Sequence, residues 1–142
     1  MKTVLVKDYD CVVNADFILD LRKQKIQHCL GCWNCWLKTP GRCVRQDLND
    51  FYHAFVNADE VLFCLQIHHD FISGNAKSLF DRLLVMALPY IGYEKNVSRH
   101  AARYEKLPML KFLYRSDFST DESEQAFHTM LKTCLLYTSR CV

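Results

Sequence analysis

The chain has 142 residues, half of them apolar, which is enough to bury one hydrophobic core in one domain without help from disulfides. Its 18 basic and 16 acidic residues leave a net charge of +2, too little to set up the basic field that neutralises a nucleic-acid backbone, so nucleic acid is excluded as the expected partner. No apolar run approaches the ~20 residues needed to span a bilayer, and the first residues lack the apolar stretch and small-residue cleavage site of a signal peptide. The expectation is a cytoplasmic protein with no membrane partner.

Val4 to Val6 and Phe17 to Leu21 are short runs of β-favouring residues and read as strands. Between Lys7 and Ala15 the chain is shorter than the crossover of about a dozen residues that a helix-linked parallel pair requires. An antiparallel hairpin, or a missing N-terminal portion, is therefore expected here instead of a strand-helix-strand unit. A cysteine-rich segment follows. Asp47 then stands as an N-cap ahead of Leu48, Phe51, Tyr52 and Phe55, which recur at helical spacing. Val61 to Leu65 is an unbroken apolar run, the mark of a central strand covered on both faces. Ser73 caps a helix whose Ala76, Leu79, Phe80, Leu83 and Leu84 share a stripe that ends near Pro89, with Lys77, Asp81 and Arg82 on its solvated or salt-bridged outer face. Residues 92 to 106 show no sustained period and read as a long connection. Met109 to Tyr114 is another strand, and Ser119 with Glu122 offers a capping box for a helix through Ala126, Phe127, Met130 and Leu131. This alternation argues an α/β sheet with helices on both faces.

The nine residues Cys134 to Val142, CLLYTSRCV, resemble the translation of a sequencing adapter joined to its own reverse complement. They are set aside, as a cloning scar would be, which leaves residues 1–133 as the domain and implies a natural chain that continues past Thr133. The alternative is a frayed helix end in which Leu135 and Leu136 continue the apolar face.

Eight cysteines in a reducing compartment point to metal or redox chemistry before structural disulfides. Cys11, Cys64, Cys134 and Cys141 stand alone, and isolated cysteines usually serve as small apolar residues. Cys29, Cys32 and Cys35 follow a C-x2-C-x2-C pattern and Cys43 comes shortly after, in a segment that Gly31, Pro40 and Gly41 mark as a loop. Such spacing lets successive sulfurs turn toward the corners of an iron-sulfur cluster. Zinc also accepts four thiolates but more often uses two separated C-x2-C knuckles, so the spacing favours iron. Ligand-free thiols, or a dithiol redox pair at Cys32 and Cys35, stay open. His28 is read as solvated, and Trp33 and Trp36 as packing the loop onto the domain.

From Asp20 to Arg82 the chain resembles the iron-sulfur flavoproteins and NADPH-dependent FMN reductases of the flavodoxin-like superfamily. The resemblance lies in DLRKQKIQHCLGCWNCWLKTPGRCVRQDL, and in the order of Ala58, Asp59, Ser73, Lys77, Asp81 and Arg82 beyond it. It implies a flavodoxin-like three-layer parallel sheet with helices on both faces, incomplete at one or both ends. It also implies bound FMN, reduced by NADPH or NADH, with the cysteine loop beside the flavin and, in cluster-bearing members, a four-iron cluster on Cys29, Cys32, Cys35 and Cys43.

Two departures accompany the resemblance. Residues 1 to 19 contain no glycine, where the family carries a Ser/Thr- and Gly-rich phosphate loop, and Leu65, Gln66, Ile67 and His68 replace the usual Thr-Pro-x-Tyr sequence. The flavin contacts expected here are Gln66, His68, His69 and Ser73, at the C-terminal ends of the strands, although Ser73 equally reads as a helix cap.

The expected function is electron transfer between a small-molecule or protein donor and an acceptor, by a chain that self-associates. The alternatives are a flavin-free domain with a four-cysteine zinc or redox-sensing site, or an oligomerisation module presenting Trp33 and Trp36. No Ser/His/Asp arrangement, P-loop or carboxylate pair points to hydrolysis or phosphoryl transfer.

Overall fold

The computed structural model describes residues 1–94, 96–115 and 117–135. The chain runs through β1 (Thr3–Lys7), β2 (Phe17–Asp20), α1 (Asn34–Leu37), α2 (Asn49–Val56), β3 (Glu60–His68) and β4 (Phe71–Ile72). It continues with α3 (Gly74–Arg82), a 3-10 turn (Leu83–Met86), β5 (Ala87–Glu94), β6 (Val97–Ala102), β7 (Met109–Arg115) and α4 (Asp121–Leu135). The protein is α/β. Its main sheet runs β2-β1-β3-β7 with all three pairings parallel, and β4 folds back antiparallel on the end of β3.

The parallel pairing of β1 with β2, Val4 opposite Phe17 and Lys7 opposite Asp20, corrects the hairpin expected from the short connection. Residues 8–16 make the crossover without a helix. An extended chain covers about 3.3 Å per residue, so nine residues can return along strands of four and five residues with length to spare. Asp8 N donates to Cys64 O at 2.8 Å where this strap leaves β1, and Asp16 N donates to Thr3 O at 2.9 Å where it enters β2.

Alternation along the strands divides the sheet into two faces. Val4, Val6, Leu19, Val61, Phe63, Leu65 and Leu110 join Phe51, Tyr52 and Phe55 of α2, Ala76 and Leu79 of α3, and Phe127 and Leu131 of α4 in one core. The Phe63 ring stacks on Phe112 at 5.1 Å and meets Phe80 edge-on at 5.3 Å. On the other face Leu5, Leu62 and Cys64 are covered by Tyr9, Cys11, Val13 and Ala15, alternate residues of the strap. The second helical layer expected from sequence is thus replaced, among the described residues, by an extended segment with period-2 contacts. Ile18 and Leu113 are left half exposed beside it.

Other differences are local. Strands β5 and β6 pair as a separate antiparallel hairpin, which corrects the long loop expected over 92 to 106. Much of it is open to solvent, with Tyr90, Ile91 and Tyr93 all exposed, so it shows no buried-face alternation for a periodicity argument to detect. Helix α2 is preceded by Leu48, with no side-chain cap; Asp47 is used elsewhere. At α4 the cap is Thr120, whose Oγ1 accepts from Ser123 N at 3.1 Å, one residue after the expected Ser119. Ser73 does cap α3, accepting from Ala76 N at 3.2 Å. The C-terminal tail from residue 136 onward lies outside the described residues. None of the helices searched among the described residues is long and apolar enough to cross a membrane.

Candidate functional site: the four-cysteine loop

Residues 21–48 leave the C-terminal end of β2 as a long excursion pinned by side chains from α3. Asn75 Nδ2 donates to Leu21 O at 2.7 Å and its Oδ1 accepts from Ile26 N at 3.1 Å, which fixes the entry. Arg82 fixes both ends together. Its guanidinium is almost wholly buried and meets Asp47 through Nη1 at 2.6 and 2.8 Å. The same group donates to Gln27 O at 3.1 Å, just before Cys29, and to Arg45 O at 2.9 Å, just after Cys43. Asp47 also accepts from Gln27 N at 3.1 Å. One buried ion pair therefore gathers the two stems that carry the first and last cysteine. Burial opposes the charge on Arg82, but its hydrogen bond to Asp47 and the neighbouring negative groups outweigh it and the pKa is raised.

Arg82 was expected with Lys77 and Asp81 on a solvated or salt-bridged outer face; it is salt-bridged, but buried against Asp47, while the other two are exposed and pair with each other at i,i+4. The signal for Arg82 was present in the sequence: it stands three residues after Leu79, on the stripe that carries Ala76 and continues into Leu83 and Met86.

Inside the loop, Trp33 takes a left-handed conformation (φ 60°) ahead of the single-turn helix α1. Trp36 follows it into a buried slot, where its Nε1 donates to Ala87 O at 2.9 Å. The two tryptophan rings meet edge-on at 5.0 Å, so Trp36 anchors the loop while Trp33 remains more than half exposed at its rim. Arg103 donates to Cys35 O at 3.2 Å and to Val85 O at 3.0 Å, tying α1 to the base of the β5–β6 hairpin. Gly41 turns the chain back at φ 78°, its amide on Cys35 O at 3.0 Å, and a Cβ there would stand 3.3 Å from Arg103 Cδ. Only glycine meets both conditions easily.

These constraints bring Cys29, Cys32, Cys35 and Cys43 to the wall of one pocket of ≈ 130 Å³, closed otherwise by Leu30, Trp33, Val44, Arg45 and Leu84. Cys29 and Cys32 are exposed, whereas Cys35 and Cys43 are half-buried and pack against the main core. Burial and then the neighbouring Cys43, Cys29 and Cys32 push the Cys35 thiol up, as expected when anions would share one apolar space. A backbone amide already faces one sulfur, Gly31 N to Cys29 Sγ at 3.4 Å. Among the described residues no group of three or more His, Cys, Asp or Glu side chains is arranged to hold a metal ion. His28 is exposed and lines no part of this pocket.

The chain matches no family model, no curated protein and no solved structure.

The residues expected to contact a flavin lie apart from the thiol pocket, which none of Gln66, His68, His69 and Ser73 lines. His68 and His69 are exposed, and Gln66 bonds weakly, Nε2 to Ile67 O at 3.4 Å. His69 and Asp70, with φ 48° and 64°, form the two-residue turn that lets Ile67 pair with Ile72. Asp70 accepts from Ser119 N at 2.6 Å and also holds the Ser119 hydroxyl, so the Ser119 hydrogen bonds lower its pKa and tie the turn to the start of α4. Ser73 is occupied as a helix cap. The phosphate of FMN does not fit after β1, where a glycine-free strap runs instead of a loop opening a helix.

Proposed function

We propose that the chain is a flavodoxin-like electron-transfer protein whose redox centre is the pocket of Cys29, Cys32, Cys35 and Cys43. Its strand order supports the fold part of this reading. The four parallel strands lie in the sequence order second, first, third, fourth, as in the flavodoxin-like sheet, and the cysteine loop springs from the C-terminal edge where such sheets bind ligands. The single observation that carries the functional part is the convergence of four thiols on one apolar pocket whose stems are clamped by a buried ion pair.

The donor set matches an iron-sulfur cluster in chemistry, four soft sulfur ligands from a short glycine-bearing loop with an amide on one sulfur and apolar walls, and the described side chains would have to close in from the pocket wall to ligate it. A cluster held there would supply one-electron transfer. The chain's own residues would bind it through the four sulfurs, limit water at it through Leu30, Trp33 and Leu84, and place positive charge from the Arg82 guanidinium near Cys43. FMN does not fit the glycine-free strap after β1. A hydride donor such as NADPH or NADH needs a two-electron acceptor, so a one-electron protein donor and acceptor match this pocket better than a nicotinamide. Self-association over the thinly covered face around Ile18 and Leu113 belongs to the same reading.

A second reading, a flavin-free domain with a four-cysteine zinc or redox-sensing site, is favoured by that same strap in place of a phosphate loop. Anaerobic purification followed by visible absorption and analysis for iron, sulfide, zinc and flavin separates the two. Broad absorption with iron and sulfide supports the first reading; colourless protein with stoichiometric zinc supports the second and removes the first.

A further inference from the structure

A second pair of thiols lies outside the loop. Cys64 is wholly buried at the centre of β3, on the face opposite the helices, and shares a small cluster with Leu5, Leu62, Tyr9 and Cys11. Its thiol has the Cys11 thiol and the Tyr9 hydroxyl as hydrogen-bonding neighbours. The strap that carries Cys11 is anchored on either side of it. Asp8 N donates to Cys64 O at 2.8 Å, the Tyr9 ring lies under Arg115 at 4.8 Å, and Asp10 pairs with Arg22 at 2.8 Å. Asp16 accepts from Thr3 N at 2.7 Å beyond it. These contacts leave the Cys11 side chain facing the sheet, half-buried, with Cys64 as its sulfur neighbour.

We propose that Cys11 and Cys64 form a reversible disulfide that fastens the crossover strap to the central strand, a thiol-redox modification site separate from the four-cysteine loop. The oxidant is a low-molecular-weight disulfide. The Cys11 thiolate attacks one of its sulfurs and expels one thiolate, which leaves a mixed disulfide on Cys11. Cys64 then gives up its proton, attacks the Cys11 sulfur and expels the second thiolate. Two protein thiols lose two electrons between them, and the small disulfide is reduced to two thiols that take up both protons. The order follows from exposure: Cys11 is partly open to solvent and Cys64 is not. Burial, followed by the Cys11 contact, raises the Cys64 pKa, which disfavours Cys64 as the first attacker and leaves it only the second step, where the mixed disulfide on Cys11 is held beside it. Such a crosslink would hold in place the only cover this part of the sheet has among the described residues.

Trypsin cleaves after Lys7, Arg22, Arg45 and Lys77, which puts Cys11 and Cys64 on separate peptides that contain no other cysteine. The full chain is incubated with excess oxidised glutathione, blocked with an alkylating agent, digested and mapped by mass spectrometry. The expected product is peptide 8–22 joined to peptide 46–77 as the major form. The thermal midpoint should rise by about 5–15 °C and return on reduction. Cys11→Ser, whose side chain is in the strap and outside the main core, should stay folded by circular dichroism and lose both the crosslink and the rise. Glutathione retained on Cys11 with Cys64 free, Cys64 joined to a loop cysteine, or a rise that persists in Cys11→Ser would each overturn the proposal. None of these outcomes depends on whether the four-cysteine loop holds a metal.

Discussion

Replacing Arg82 with methionine tests how the cysteine loop is held. Methionine keeps the aliphatic stem but removes the guanidinium that pairs with Asp47 and accepts no substitute for its bonds to Gln27 O and Arg45 O. Arg82 is 2% exposed and Asp47 is also largely covered, so the carboxylate would be left in a poorly solvated site with its counter-ion gone. Breaking one partner of a buried pair costs about 3–5 kcal/mol, a large part of the 5–15 kcal/mol that holds a domain of ordinary stability. Urea unfolding followed by tryptophan fluorescence measures the loss. The surface pair Lys77–Asp81 supplies the control, since Lys77→Met should cost no more than about 0.5 kcal/mol. Adding Asp47→Leu to Arg82→Met should recover stability relative to Arg82→Met alone, because it removes the stranded charge. In the single variant the loop thiols should also react faster with a thiol reagent than those of the wild type. A cost under about 0.5 kcal/mol for Arg82→Met, with unchanged thiol reactivity, would refute the clamp.

Three further outcomes follow from local geometry. Gly41→Ala should destabilise by about 1–2 kcal/mol, since it puts a Cβ at positive φ against Arg103, whereas Gly74→Ala, with open space around it at the start of α3, should be neutral or slightly stabilising in the same chemical denaturation series. Ser73→Ala removes the α3 cap and should cost about 1 kcal/mol by the same assay; wild-type stability in that variant would refute the capping role. The hydrogen bond from Arg22 lowers the Asp20 carboxyl from 3.8 to about 2. A depressed folded-state pKa gives stability that is complete above the unfolded value near 3.8 and is lost as pH falls through about 2. Carboxyl NMR titration should place Asp20 near the lower value in the wild type and back near the usual one in Arg22→Gln; an unchanged midpoint in that variant would contradict the assignment.

Strands and helices whose apolar residues face a core were legible from periodicity alone. Val61 to Leu65, the Ala76–Leu79 stripe and Met109 to Tyr114 each lie within the element the sequence suggests. What escaped notice was set by partners distant in sequence. The β1–β2 register depends on β1 also pairing with β3, and a count of connecting residues could not show that a strap can replace a helix by packing every second side chain. Asp47 had the chemistry of a cap, yet a buried arginine 35 residues away took it instead. The loop cysteines were visible as a constellation because their spacing is local. Their clamp was not: the stripe position of Arg82 beside Leu79 and Leu83 signals burial, but its partners Asp47, Gln27 and Arg45 lie far off in sequence and have no local signature.

If Cys29, Cys32, Cys35 and Cys43 act as one metal centre, the chain should take up iron and acid-labile sulfide on anaerobic reconstitution. Cys29→Ser and Cys43→Ser, at the two ends of the loop, should each lose most of both, while Cys11→Ser retains the wild-type content. Equal iron and sulfide in all three variants, or none in the wild type, would contradict the account.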